Sequence, residues 1–204
     1  MSKQGGVPFL SYESLRQTAT RFLGEHHPSG TIPVPIECII EFDFRLDIVP
    51  IPGLRSEFST DAFISSDFKT ISVDDALARV FENRYRFSLA HELAHLILHK
   101  TSYGSYQFST IAEWKAVSTT FPDDDSSRLE YQAHALAGLM LVPSDSLLDR
   151  VQHYIRRLRK ASLSTATGEA IRRVTLAVAG DFAVSSGVID RRIRFDKLEG
   201  KFQG

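Results

Sequence analysis

The stretch Arg86–His99, RFSLAHELAHLILH, decides the fold class of this chain. Within it, His91-Glu92-Leu93-Ala94-His95 is an HExxH. Around that motif Phe87, Leu89, Ala90, Leu93, Ala94, Leu96, Ile97 and Leu98 put apolar side chains on several sides of a helix from about Arg84 to His99. A helix that is apolar on several sides is a buried one. Two histidines at i and i+4 stand about 40° apart around the axis and one turn apart along it, so both imidazoles reach one ion. That is the geometry of a pair of zinc ligands. Glu92, next to the first of them, then faces the open coordination position, where a carboxylate can take a proton from water.

With seven His and eleven Glu among 204 residues, chance supplies roughly 0.01 matches to HExxH. Burial narrows the reading further, because two His and a Glu on a buried helix need polar partners and a metal supplies them. A catalytic zinc takes a third protein ligand and leaves a fourth position open. Three residues compete for the third place. His99, at i+8, is about 12 Å along the axis from His91, too far to share one ion with both other imidazoles on a regular helix. It reads as a helix-end or surface residue. Glu130 opens EYQAHALA (130–137) on a separate helix that crosses the first, and would complete a His2Glu set of the thermolysin type. Its blander reading is a solvated carboxylate favoured by the helix dipole. His134 lies one turn later on the same face, and Asp123–Asp125 read as a solvated run.

Outward from the motif, Leu15, Ala19, Phe22 and Leu23 fall at helical spacing over Ser11–Leu23, and Ile36, Ile39 and Ile40 mark a short helix behind Pro35. FRLDIVPI (44–51), Ala62–Ile64 and Thr70–Val73 read as strands, the last two flanking SSDFK as an antiparallel hairpin. Residues 100–125 show no period and read as a loop or lid, pinned to the body by Trp114. Arg128–Leu141 is helical again and stops before Pro143. Ser144 then reads as the N-cap of a helix through Lys160, and two more helical stretches follow, broken near Gly180 and Asp181. The expected class is α+β: a small antiparallel sheet packed on an HExxH helix, that helix crossed by a Glu-bearing one, and a helical C-terminal region. The expected division is a core of residues 1–143, its N-terminal helix included, and a helical region of residues 144–204 packed on it.

Composition excludes several classes. Residues of the hydrophobic set make up 43% of the chain and Phe alone contributes 14, which argues against disorder. Lys plus Arg number 24 against 25 Asp plus Glu, so a net charge of -1 provides no chain-wide field for nucleic acid or anionic lipid. Cys38 stands alone, which excludes an intrachain disulfide framework and points to a reducing compartment. With no apolar run of about 18 residues, the expectation is a cytoplasmic protein without a membrane partner.

RFSLAHELAHLILH followed by LEYQAHALAGLMLVP (Leu129–Pro143) resembles the ImmA/IrrE family of zinc metallopeptidases, whose pattern is an apolar AHELGH segment and then E-x-x-A-x-x-(F/L)-A-x-x-L-L-x-P. The likeness runs from about Pro33 to Ile193 and takes in LAVAGDFAVSSGVIDRRI (Leu176–Ile193). It implies a zinc held by His91, His95 and Glu130 with Glu92 as general base. Ala94 stands where the family commonly has Gly. His134 stands where it often has Asn or Asp, so the hydrogen bonding around the ligands is expected to differ. The resemblance also implies a protein substrate: a helix-turn-helix repressor or an antitoxin-like regulator.

Oxyanion stabilisation needs a further donor, for which His134, Tyr131, Tyr85 and the Tyr103/Tyr106 loop have the chemistry. The edge of Thr70–Val73 is a candidate to hold an extended peptide. The alternative reading is a non-catalytic regulatory module whose basic C-terminal helices, with Arg172, Arg173, Arg191, Arg192 and Arg194, contact DNA or a partner protein.

Overall fold

In a computed structural model, residues 7–103, 108, 110–118, 123–165 and 168–202 are described. Helix α1 (Tyr12–His26) begins at Ser11, whose hydroxyl accepts the Ser14 N–H at 3.1 Å, and buries Leu15, Ala19 and Phe22. A short helix α2 (Ile36–Cys38) runs on through a π turn at Ile39–Asp43 and buries Ile36, Ile39 and Ile40.

The sheet has the order β1 (Asp47–Ile51), β3 (Thr70–Asp74), β2 (Ala62–Ile64). The β2–β3 hairpin is antiparallel, with Phe63 opposite Ser72, as the sequence predicts. β1, however, pairs with β3 in parallel, Ile48 opposite Ile71, so the sheet is mixed rather than antiparallel. The chain leaves β1 through α3 (Leu54–Phe58) and β2, and returns to insert β3 in the middle. Pro50, which cannot donate to a ladder, is tolerated because β1 is an edge. The central place of β3 also closes the peptide-binding edge expected at Thr70–Val73, since both of its sides are already paired.

After α4 (Asp75–Val80), capped by Asp74, comes the long helix α5 (Glu82–Tyr103) with the HExxH at its middle. It lies against β2 and β3 on one side and packs most extensively on α7 (Asp123–Leu141). Ala90 and Ala94 on α5 and Ala133 and Ala137 on α7 are fully buried, and such small side chains let two helices approach closely. The added methyl of Ala94 is thus accommodated within the core.

The expected loop at 100–125 contains a helix, α6 (Ile111–Ser118), and α7 starts five residues before the sequence reading placed it against Arg128. The missed signal is a capping box: Thr110 Oγ1 accepts the Glu113 N–H at 3.3 Å while Glu113 Oε2 accepts the Thr110 N–H at 3.2 Å. Asp123, Asp124 and Asp125 form the first turn of α7, where the helix dipole favours negative charge. Tyr106 and the side chains of Tyr103 and Trp114 lie outside the described residues.

Helices α8 (Ser144–Lys160), α9 (Gly168–Phe182) and α10 (Ser186–Phe195) complete the chain before a last 3₁₀ turn at Leu198–Phe202. Pro143, not Ser144, precedes α8 as its N-cap, and the Ser144 hydroxyl instead accepts from Arg16 at 3.1 Å and Arg192 at 3.0 Å. The α9–α10 break comes at residues 183–185, after Gly180 and Asp181.

Arg192 drops out of the set of C-terminal arginines read as contacting DNA or a partner protein. It is buried, donates to the Gly138 and Val142 carbonyls at the end of α7, and pairs with Asp196 at 2.7 Å. Arg172 and Arg173 both pair with Glu169, and Arg194 with Asp190. Among the described residues no helix is long and apolar enough to cross a membrane.

Candidate metal centre

α5 and α7 cross so that Glu130, near the middle of α7, faces the two histidines of the HExxH. His91 Nε2 and His95 Nε2 lie 3.0 Å apart, and Glu130 Oε2 and Oε1 lie 3.2 and 3.6 Å from them respectively. Zinc bonds of about 2.0–2.1 Å to nitrogen and oxygen make the edge of a tetrahedron about 3.3 Å, so these spacings suit three ligands of one ion. Among the described residues His91, His95 and Glu130 form the one such group that could hold a metal. Of the three candidates for third ligand, Glu130 is therefore the one brought to the pair.

Glu92 lies beside this group at the floor of a cleft of about 490 Å³, walled by residues 59–63, Ser88 and His134. Its Oε2 accepts the backbone N–H of Ile64 at 3.0 Å, which ties the carboxylate to strand β2. Burial pushes the Glu92 carboxyl up to about 7, aided by the Glu130 charge and opposed by His91 and the Ile64 N–H. Burial also opposes protonation of His91, but its hydrogen bond to Glu130 and the charges of Glu92 and Glu130 outweigh that and raise it. His95 is held well below the ordinary histidine range by burial and by its neighbours His91 and His99.

His99 is where the sequence reading fails. It is neither at the surface nor at a helix end: it is 2% exposed and its Nδ1 lies 3.1 Å from His95 Nδ1. The hydrogens follow from the far end of the chain of contacts. The Pro8 carbonyl can only accept, so Gln132 Nε2 donates to it, at 2.8 Å. Gln132 Oε1 therefore faces His99 and accepts its Nε2–H at 2.9 Å. Burial keeps His99 neutral, so its Nδ1 accepts from His95 Nδ1–H. That assignment leaves the lone pair of His95 on Nε2, the atom facing His91 and Glu130. A neutral imidazole with its lone pair so aimed is what a metal ligand requires.

The profile of a peptidase family, described as the IrrE N-terminal-like domain, matches residues 58–194. The chain belongs to this family. The matched range contains β2, β3, α5, α7 and all of α10 but Phe195, hence every residue of the metal-ligand group and Glu92. No curated protein matches the chain. Among solved structures, a Mycobacterium tuberculosis transcriptional regulator is similar in fold, with a TM-score of 0.54 at 12% identity over 89% of this chain and 46% of that one. The chain thus spans about half the length of that regulator.

In this IrrE-like domain the remaining candidates take separate places. His134 stands at the cleft wall, its ring 6.3 Å from that of His91 and 4.7 Å from that of Phe87. Arg191 of α10 donates to His134 Nε2, and burial, then the Arg191 and His91 charges, bring His134 down to about 4. Tyr131 faces a neighbouring apolar cavity. Tyr85 bonds to Glu37 and is pushed up to about 12 by burial and by Glu37 and Glu41, so its hydroxyl is engaged with the α2 segment.

Proposed function

We propose that this protein is a zinc-dependent metalloendopeptidase of regulatory role, cleaving a helix-turn-helix transcriptional repressor or a similar cytoplasmic regulator. The observation that carries the reading is the convergence of His91, His95 and Glu130 with Glu92 beside them in an open cleft. Membership of a peptidase family supports the reaction class. The transcriptional-regulator description of the structural neighbour agrees with a regulatory setting.

The donor set fits the metal: two imidazoles whose Nε2 atoms converge, that of His95 with its lone pair on Nε2, and one carboxylate. His91, His95 and Glu130 would hold a zinc, which when bound supplies Lewis-acid polarisation of the scissile carbonyl and a more acidic water. Glu92 takes the proton of the attacking water. With Oε2 pinned by the Ile64 N–H, Oε1 is the atom free to receive that proton and later hand it to the leaving amine. His134, at the wall of the same cleft and bonded through Nε2 to Arg191, is the polar group we assign to donate to charge developing on the carbonyl oxygen.

The test joins metal content to cleavage. Elemental analysis should find about one zinc per chain in the wild type and a loss in His95→Ala and Glu130→Ala. Glu92→Gln should keep its zinc and lose cleavage. A zinc-loaded Glu92→Gln protein that cleaves as the wild type does would refute the assignment of the base. A wild type that takes up no zinc would refute the metal site.

A further inference from the structure

A second cavity, of about 360 Å³, lies between α7 and α10 and shares Phe87, Glu130 and His134 with the metal cleft. Its walls are Phe87, Tyr131, Ala135, Gly138, Val188 and Phe195, and Tyr12 stacks on Phe195 with ring centroids 4.7 Å apart. Its polar groups other than the Tyr12 and Tyr131 hydroxyls are Glu130, His134, Arg191 and Arg192, and Arg192 is already engaged by the carbonyls at the end of α7. The apolar walls thus open at one end onto the group that would hold the metal. Tyr131 and Phe195 remain 43% and 44% exposed, which leaves aromatic surface at the mouth open to solvent. Gly138 keeps the cavity wide: a Cβ there would meet only Val188 Cγ1, at 3.9 Å, an ordinary contact.

We infer that this cavity is the side-chain subsite of the peptidase, receiving a large apolar side chain from one of the two residues that flank the scissile bond. The inference rests on the peptidase reading above and adds to it the class of substrate side chain. The occupant follows from continuity and chemistry. A peptide whose carbonyl lies over His91, His95 and Glu130 passes the shared wall at Phe87 and His134, and the space beyond has apolar sides over most of its depth. His134, fixed between Phe87 and Arg191, sets the boundary between backbone cleft and side-chain cavity. A charged side chain entering there would be desolvated against aromatic and aliphatic walls, and the charged groups it meets, Glu130 and Arg191, are already engaged with the imidazoles of His91, His95 and His134.

The zinc-loaded protein is incubated with a degenerate peptide library and the cleavage products are sequenced by mass spectrometry. Phe, Leu, Met or Tyr should be enriched about tenfold or more over Ala at one position flanking the cut. Gly138→Ala and, separately, Ala135→Leu should shift that preference toward small residues with zinc content unchanged. Cleavage without an apolar preference, or with one that neither variant alters, overturns the subsite and leaves the peptidase reading standing. Absence of cleavage by the zinc-loaded wild type counts against the peptidase reading instead. The cavity is then read by titrating ¹⁵N-labelled protein with N-acetyl-phenylalaninamide and N-acetyl-alaninamide. Shifts of the Ala135, Gly138 and Val188 amides with the phenyl compound alone support the pocket, and their absence overturns it.

Discussion

At the scale of the residue, the metal centre depends on groups that never face the metal. His99 and Gln132, both buried, and the Pro8 carbonyl form a line of donors and acceptors that settles which nitrogen of His95 carries hydrogen. Removing a partner of this kind commonly costs 10- to 100-fold in metal affinity. His99→Leu should therefore weaken zinc binding by about that factor in competition with a chelator, and Gln132→Leu should do so to a smaller extent because it acts one step further out. Unchanged affinity in both would show that His95 is oriented without the line. The sequence discloses His91, His95 and Glu130 because a one-turn spacing on one helix and a carboxylate in the matching segment are local signals. His99 escapes the sequence reading for a physical reason: its axial distance from His91 excludes it from sharing the ion but says nothing of His95, only one turn away and directly in contact.

At the scale of the element, the strand that matters is β2. The hydrogen bonds of Ser65 and Asp61 to β3 alternate along the strand, so Ala62 and Ile64 turn their backbone groups away from β3. The Ile64 N–H is used by Glu92, and Ala62 borders the cleft beside it. An extended peptide adding to this edge would place its backbone along the carboxylate that acts on it. Ala62→Pro removes the outward N–H and should raise KM several-fold while zinc content and kcat hold. If KM stays at the wild-type value, the peptide is held elsewhere. The β2–β3 hairpin is legible because its strands are joined by a short polar turn. The parallel partnership of β1 is not, since it depends on a crossover through α3 and β2 that no local pattern encodes. Helix α6 is legible only through its capping box, because its stretch carries no apolar period.

At the scale of the whole molecule, one hydrophobic core runs from α1 through the sheet, α5 and α7 into α8, α9 and α10. Arg192 is the polar tie across it. It closes the carbonyl end of α7 from α10, and with Arg16 it brackets Asp196, to which Tyr12 also donates at 3.2 Å. Losing one partner of a buried, hydrogen-bonded ion pair costs about 3–5 kcal/mol, and the lower end applies here because Arg16 still pairs with Asp196 at 2.8 Å. With 2–4 °C lost per kcal/mol in a chain of this size, Arg192→Met should lower Tm by roughly 6–12 °C. Glu169→Gln, which touches only the exposed Arg172 and Arg173 pairs, should leave Tm where it is. A DNA-facing role for the C-terminal arginines makes the opposite forecast: Arg192→Met would fold as stably as the wild type and lose only a salt-dependent affinity for duplex DNA. Calorimetry on the two variants separates these outcomes, because an arginine that closes a helix end inside the core cannot be removed without the whole molecule registering it.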